Sequence, residues 1–269
     1  MTTELPFVSP LRPDANAGRV ALVTGGGTGI GRATALELAS TGAGVIICGR
    51  RAEPLAATAS EIERAGGSCL SVPADLRETE QVERVVDAAL ERFGAIDVLI
   101  NNAGGQFEAP AEEISDKGWR AVGRLTLDAT WSVTRSVATR SMIARGGGLI
   151  VFLGFSPLRG IPGFAHACAA RAALANLASG LALEWSRHRI RSVCIAAGTI
   201  ATDALAQYGE DTVERWRRSV PLGRLGSPEE VASLIAFLAT TGGAYITGTT
   251  VLIDGGADAW GLAEEPPRD

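Results

Sequence analysis

The sequence predicts an α/β fold: one domain built on a doubly wound sheet of seven parallel strands. Three observations carry that expectation. Seven short, β-branched apolar runs recur along the 269 residues, nearly continuous in hydrophobicity, as strands covered on both faces are. Amphipathic segments of helical period separate them. A glycine-rich turn follows the first run directly and opens the first helical segment.

In order, the strand candidates are residues 19–24 (RVALVT), 44–49 (GVIICG), 68–74 (SCLSVPA), 95–101 (AIDVLIN), 148–154 (GLIVFLG), 190–196 (IRSVCIA) and 249–254 (TTVLID). RATALELAST, EPLAATASEIERAG and TEQVERVVDAALERFG fill the first three gaps with apolar residues at helical spacing. Residues 1–18, polar and proline-containing, read as an N-terminal arm, 19–258 as the domain and 259–269 as a C-terminal tail.

Hydrophobic residues make up 46% of the chain, enough for a large core. No run approaches the roughly 20 apolar residues of a membrane span. Residues 1–18 lack the apolar stretch of a signal peptide. A cytoplasmic protein without membrane contact is expected. The net charge of −5 leaves no electrostatic footprint for nucleic acid. Cys48, Cys69, Cys168 and Cys194 lack metal-ligand spacing and read as small buried hydrophobes, so no metal is expected.

In TGGGTGIG (24–31), Gly25, Gly29 and Gly31 let the backbone approach a pyrophosphate, with Thr28 and Ile30 in the same turn. The phosphates would sit on a helix N-terminus, where amides point outward and the dipole is positive. The residue ending the second strand selects the cofactor. A carboxylate there would suit the ribose 2′-hydroxyl of NAD, but the chain reads CGRR, with Arg50 and Arg51 in place and Arg32 nearby. Guanidinium grips a 2′-phosphate bidentately, so NADP(H) is expected.

With NNAG (101–104), ADL (74–76), PLGRLGSPEEVA (221–232) and TGTTVLIDGG (247–256), residues 19 to about 258 resemble the short-chain dehydrogenase/reductases. That resemblance implies a Rossmann-type sheet of order 3-2-1-4-5-6-7. It implies that Asp75 and Leu76 flank the adenine and that Asn102, Ala103 and Gly104 back the cofactor. Gly198, Ile200 and Thr202 would meet the nicotinamide, with a variable substrate-covering segment over 199–220. A homotetramer or homodimer is implied as well.

The family's Asn–Ser–Tyr–Lys tetrad is replaced throughout. By spacing its positions fall on Thr126, Gly154, Ala167 and Arg171. Arg171 can still donate to ribose hydroxyls, yet it does not relay protons because it does not deprotonate. His166 adjoins the tyrosine position but lies about 100° around the helix from it. Ser156 follows two residues past Gly154. Tyr208 and Tyr245 are the only tyrosines; the first lies in the covering segment and is the better placed to reach a pocket.

Reducing a ketone leaves a strongly basic alkoxide, and a positioned acid accelerates that step by about 10²–10⁴-fold. Hydride addition to an unsaturated thioester leaves a delocalised, less basic enolate that hydrogen bonds suffice to stabilise. A site without its tyrosine therefore suits C=C reduction. GGGTGIG, NNAGGQF and ARAALANLASGLALEWSRHRIR are most similar to the 2,4-dienoyl-CoA reductase branch, which also has a small residue at that tyrosine position. That branch keeps the lysine and uses a tyrosine upstream, at what is Ser156 here. The reading is an NADPH-dependent reductase of an α,β-unsaturated acyl-CoA, with Thr126, Ser156 and Arg171 as polar contributors. Arg159 and the RWRR run (215–218) are candidates for a CoA phosphate. The alternative is a redox-silent or non-redox protein on the same fold: a partner subunit, sensor, cyclase or isomerase.

Overall fold

The computed structural model describes residues 8–156 and 158–260. Its seven strands are β1 (Val20–Thr24), β2 (Gly44–Gly49), β3 (Cys69–Pro73), β4 (Val98–Asn101), β5 (Gly148–Gly154), β6 (Ile190–Ala197) and β7 (Thr249–Ile253). They form one parallel sheet of order β3-β2-β1-β4-β5-β6-β7. All seven expected runs are strands, and the predicted order is observed. The connections turn outward in opposite senses from β1 and β4, so a crevice opens between the carboxyl ends of these two strands.

Helices cover both faces: α1 (Gly29–Ser40), α2 (Ala52–Arg64), α3 (Thr79–Phe93), α4 (Asp116–Gly123), α5 (Ala129–Val137), α6 (Ile143–Arg145), α7 (Ala165–Trp185), α8 (Glu210–Arg218), α9 (Pro228–Ala239) and α10 (Ala257–Trp260). Strand alternation divides the core into two layers. Leu22, Ile46, Leu99 and Ile150 face a layer that includes Val85, Val133 and Leu174. Their neighbours Val23, Ile47, Ile100 and Val151 face Leu38, Ile62 and Ile235 on the other side. Burial on both faces explains why the strands read as unbroken apolar runs.

Three local features shape the site. Between α4 and α5 the helix widens into a π-turn over Arg124–Asp128 that carries Thr126. At the front of α7, His166 is 2% exposed and its ring lies 4.2 Å from that of Phe107. Beyond β5, the Ser156 hydroxyl and the Arg159 guanidinium both donate to the Asp258 carboxylate of α10, binding the β5–α7 loop to the C-terminal helix.

The expected N-terminal arm needs correcting over residues 8–18. Asn16 is buried, and its Nδ2 donates to Thr41 Oγ1 (3.0 Å) and to the Ala236 carbonyl (3.2 Å), tying the segment to α1 and α9. Composition hid this, because the anchor is a single polar side chain. The expected tail at 259–269 lies outside the described residues beyond Trp260.

Two outcomes follow from this packing. A Cβ on Gly31 would lie 2.2 Å from the Gly25 carbonyl oxygen, whereas one on Gly180, within α7, meets nothing within 4 Å. Gly31→Ala should lower stability by about 1–3 kcal/mol and Gly180→Ala should raise it by about 0.5–1 kcal/mol, both read from urea midpoints. Both His166 nitrogens lack partners and burial pushes its pKa below 6.5, so the folded chain holds it neutral. The unfolded chain takes up that proton first as pH falls through 6.5, and stability drops with it. His166→Phe should flatten the loss of stability between about pH 7 and 5; an unchanged slope would contradict neutral burial.

Candidate functional site

The crevice is built around the turn after β1. Gly25 (φ 68°) and Gly29 (φ 51°) take left-handed backbone conformations that disfavour other residues. The Gly25 amide donates to the Cys48 carbonyl at 2.7 Å, setting the turn against the end of β2. Across it, Asn102 Nδ2 donates to the Thr24 carbonyl (2.9 Å), while Thr24 Oγ1 accepts from the Asn102 and Ala103 amides (3.0 and 2.9 Å). Segments 24–31 and 101–104 are thereby one unit. A Cβ on Gly25 would come within 2.8 Å of Asn102 Nδ2, and one on Gly29 within 3.2 Å of Thr202 Cγ2. Thr28 starts α1 without a side-chain cap, and its first turn holds no acidic residue. The initial amides of α1 therefore keep their donors for a ligand.

At the end of β2, the arginines differ in their commitments. Arg32 is paired with Glu61 at 2.5 Å, which removes it from the expected cationic trio. Arg50 and Arg51 make no hydrogen bond or ion pair among the described residues, although Arg50 lies close enough for its charge to act on Asp75. The Asp75 carboxylate is held by Arg77 at 2.5 Å, and this partner keeps its pKa down at about 2. The Leu76 side chain packs into the core rather than along a ligand surface.

A cavity of about 580 Å³ continues from the crevice, and its walls include Ile30, Asn102, Gly104, Gln106, Phe155, Arg171, Gly198, Ile200, Thr202 and Tyr208. The four tetrad positions behave differently here. Gly154 lines the cavity, but a Cβ there would lie 2.8 Å from Cys194 Sγ, so the local packing suits glycine. Ala167 is 1% exposed and packs with Val122, Phe164 and Ala170 rather than against the cavity. Thr126 is also absent from the lining; its buried Oγ1 has no partner and lies 3.6 Å from where a Cβ on Gly104 would be. Its hydroxyl is therefore buried beside Gly104 and not on the cavity wall, away from the substrate position expected for it.

Arg171 is the tetrad position that keeps a polar group at the cavity. Its Nη1 donates to the Leu153 carbonyl (2.9 Å), its Nη2 to Gln106 Oε1 (3.3 Å), and its guanidinium carbon lies 4.5 Å from the Phe155 ring centre. Among the described residues its buried Nε has no partner and no carboxylate pairs with the guanidinium. Burial pushes its pKa down to about 10, so it stays charged at neutral pH. Ser156 and Arg159 line the cavity but are committed to Asp258, which corrects the expectation of a free serine hydroxyl and a phosphate-seeking arginine. Arg217 and Arg218 of the RWRR run pair with Glu214. His166 is not among the lining residues. Tyr245 is fully exposed. Tyr208 does reach the cavity, which sequence position alone left open because the fold of the covering segment decides it.

The sequence profile described as "Enoyl-(Acyl carrier protein) reductase" matches residues 25–258. A protein of Bacillus subtilis (strain 168), described as a "Probable 2,4-dienoyl-CoA reductase", is 35% identical over 243 residues, covering 88% of this chain and 96% of its own. The 3-oxoacyl-[acyl-carrier-protein] reductase FabG of Chlamydia trachomatis serovar D is 35% identical over 239 residues, with 88% and 96% covered. A solved structure described as citronellol catabolism dehydrogenase (AtuB) of Pseudomonas aeruginosa PAO1 superposes with a TM-score of 0.84 at 41% identity, covering 93% of this chain and 99% of that one. The glycine turn, its clasp by Asn102 and these matches agree: the chain belongs to the short-chain dehydrogenase/reductases, a family of NAD(P)-dependent oxidoreductases.

Proposed function

We propose that this protein reduces the C=C bond of an α,β-unsaturated acyl-CoA thioester, with NADPH as the hydride source. The observation that carries this reading is Arg171: a buried, permanently charged donor stands where the family's lysine would be, while the tyrosine position is core alanine. A fixed cation in a low-dielectric wall stabilises a delocalised oxyanion strongly. It gives up no proton itself, so at the substrate oxygen it suits an enolate, which needs stabilising there and protonation only at carbon, better than an alkoxide, which needs a proton on oxygen. The name of the Bacillus relative points to the same chemistry, whereas that of the Chlamydia relative points to a ketone, so the site must discriminate between them.

The residues present fit the cofactor. The left-handed turn at Gly25 and Gly29, closed so tightly that added Cβ atoms meet Asn102 and Thr202, leaves backbone amides as the surface for a pyrophosphate. Thr28, Ile30 and Gly31 complete that surface. Arg50 and Arg51 would hold the 2′-phosphate, while Asp75 and Leu76 would meet the adenine through their backbone. Asn102, Ala103 and Gly104 would back the nicotinamide ribose together with Arg171, and Gly198, Ile200 and Thr202 would face the nicotinamide. When bound, the reduced nicotinamide supplies hydride to the β-carbon. The chain's part is to orient the thioester against Arg171 and to exclude bulk water with residues 199–220. Assembly as a homotetramer and a cytoplasmic location belong to the same reading; no helix among the described residues is long and apolar enough to cross a membrane.

Two measurements check this. NADPH oxidation should be seen with crotonyl-CoA, a 2,4-dienoyl-CoA or cyclohexenylcarbonyl-CoA and be far slower with matched ketones. Preferential ketone turnover would overturn the C=C reading, and silence with NADPH bound would move the protein to a non-redox role. Replacing both Arg50 and Arg51 by Glu should cut the preference for NADPH over NADH by roughly 10–100-fold, the equivalent of one or two charge-assisted hydrogen bonds. An unchanged ratio would remove these residues from 2′-phosphate recognition.

A further inference from the structure

We propose that Tyr208 is the catalytic proton donor of this site, supplied by the substrate-covering segment and aligned by Gln106 and Arg171. The inference deepens the C=C reduction reading and rests on it for the identity of the substrate. Tyr208 closes a 3₁₀ turn over Asp203–Tyr208 and is followed by Gly209, whose φ of 74° starts α8 in a left-handed conformation. Its ring lies edge-on to Phe164 at 5.9 Å and to Trp216 at 5.0 Å. These two rings come from the start of α7 and from α8 and lie 6.4 Å from each other, so the three form one aromatic cluster that packs against the phenol ring. Aromatic pairs of this geometry hold a ring in one orientation.

The hydroxyl end meets a polar chain. Gln106 and Tyr208 line the same cavity, and the Gln106 amide acts on the phenol in the sense that favours its ionised form, as an N–H donor does. Gln106 Oε1 accepts from Arg171 Nη2 at 3.3 Å. The amide therefore relays the guanidinium's polarity to the phenol oxygen and leaves the phenolic O–H free to donate. Burial, the largest influence, raises the Tyr208 pKa, and the Glu108 charge adds to it; together they outweigh the lowering by Gln106 and Arg171 and keep the phenol neutral. Other candidates are unsuited to the task. The Ser156 proton is committed to Asp258, and the His166 ring is sealed against Phe107.

In the step this supports, hydride reaching the β-carbon displaces the π pair of the C=C bond through the α-carbon onto the thioester oxygen. The enolate pair then takes the Tyr208 proton to form the new C–H bond at the α-carbon while the thioester C=O reforms, and the O–H pair remains on the phenolate oxygen. The thioester is reduced by one hydride and one proton, the nicotinamide is oxidised, and the phenolate regains a proton from water at the cavity mouth. Arg171 steadies both the enolate and the phenolate.

The test uses the full chain. In Tyr245→Phe protein, Tyr208 is the remaining phenol, and its ionisation can be followed by tyrosinate absorbance. Adding Arg171→Met, or separately Gln106→Leu should the first variant fail to fold, should raise its apparent pKa; a titration unmoved by either change would overturn the arrangement whether or not a substrate is known. With an enoyl-CoA that the wild-type protein reduces, Tyr208→Phe should lower kcat by about 10²–10⁴-fold, with NADPH affinity, read from nicotinamide fluorescence, unchanged. Full kcat in that variant would sink the donor role while leaving C=C reduction intact. Ketone reduction that vanishes with Tyr208→Phe would do the reverse, retaining the donor and discarding the substrate class.

Discussion

The close approach of the Gly25–Gly31 turn to Asn102 is the contact on which the rest of the molecule depends. Two left-handed glycines and the tight fit at Gly31 bring the turn between β1 and α1 to within hydrogen-bonding reach of the loop after β4. Thr24 completes the clasp by accepting from two amides of that loop while donating to the Ile100 carbonyl. Because β1 and β4 flank the switch point of the sheet, locking their loops together fixes both the floor of the crevice and the direction of α1. Small residues are required there by sterics, which is why the signature is legible as a string of glycines.

Charge organises the cavity differently. Three of the arginines around the site are neutralised locally: Arg32 by Glu61, Arg77 by Asp75 and Arg159 by Asp258. Arg171 has only carbonyl acceptors and the face of Phe155. A buried cation without a counter-ion is costly, and such a group persists where its unmet charge serves a ligand. The cavity thus sets arginines whose charge is met by a carboxylate beside Arg171, whose charge meets only carbonyl oxygens and an aromatic face among the described residues.

The tetrad positions show what replaced conventional chemistry. At Gly154 the space is closed by Cys194, Ala167 packs in the core, and Thr126 is buried outside the cavity lining. Restoring one side chain alone would therefore disturb packing before it restored function. The loop after β5 is tied by Ser156 and Arg159 to α10, so the C-terminal helix becomes part of the cavity wall. Polar groups that read as candidate site donors are here structural ties, and the covering segment carries the phenol that faces the cavity.

The order and number of strands, the doubly wound sheet and the location of the crevice were all determined by the sequence itself. The number of strands and the doubly wound sheet follow from local patterns, since continuous apolar runs demand burial on both faces and glycines at fixed spacing permit one kind of turn; the strand order followed from the resemblance to the family. The expectation that the tetrad is replaced rests on spacing to Thr126, Gly154, Ala167 and Arg171, and the structure shows where each of these residues lies. Side-chain commitments were a matter for the tertiary structure. Nothing adjacent in sequence couples Ser156 to Asp258, Asn16 to Ala236 or Arg32 to Glu61, and each pairing withdraws or anchors a group that composition alone leaves free. Likewise, Gln106, Arg171 and Tyr208 come from three distant segments. Their meeting depends on β4, α7 and the covering segment converging at one end of the sheet, because hydrogen bonds and charge act over a few ångströms of space whatever the separation along the chain.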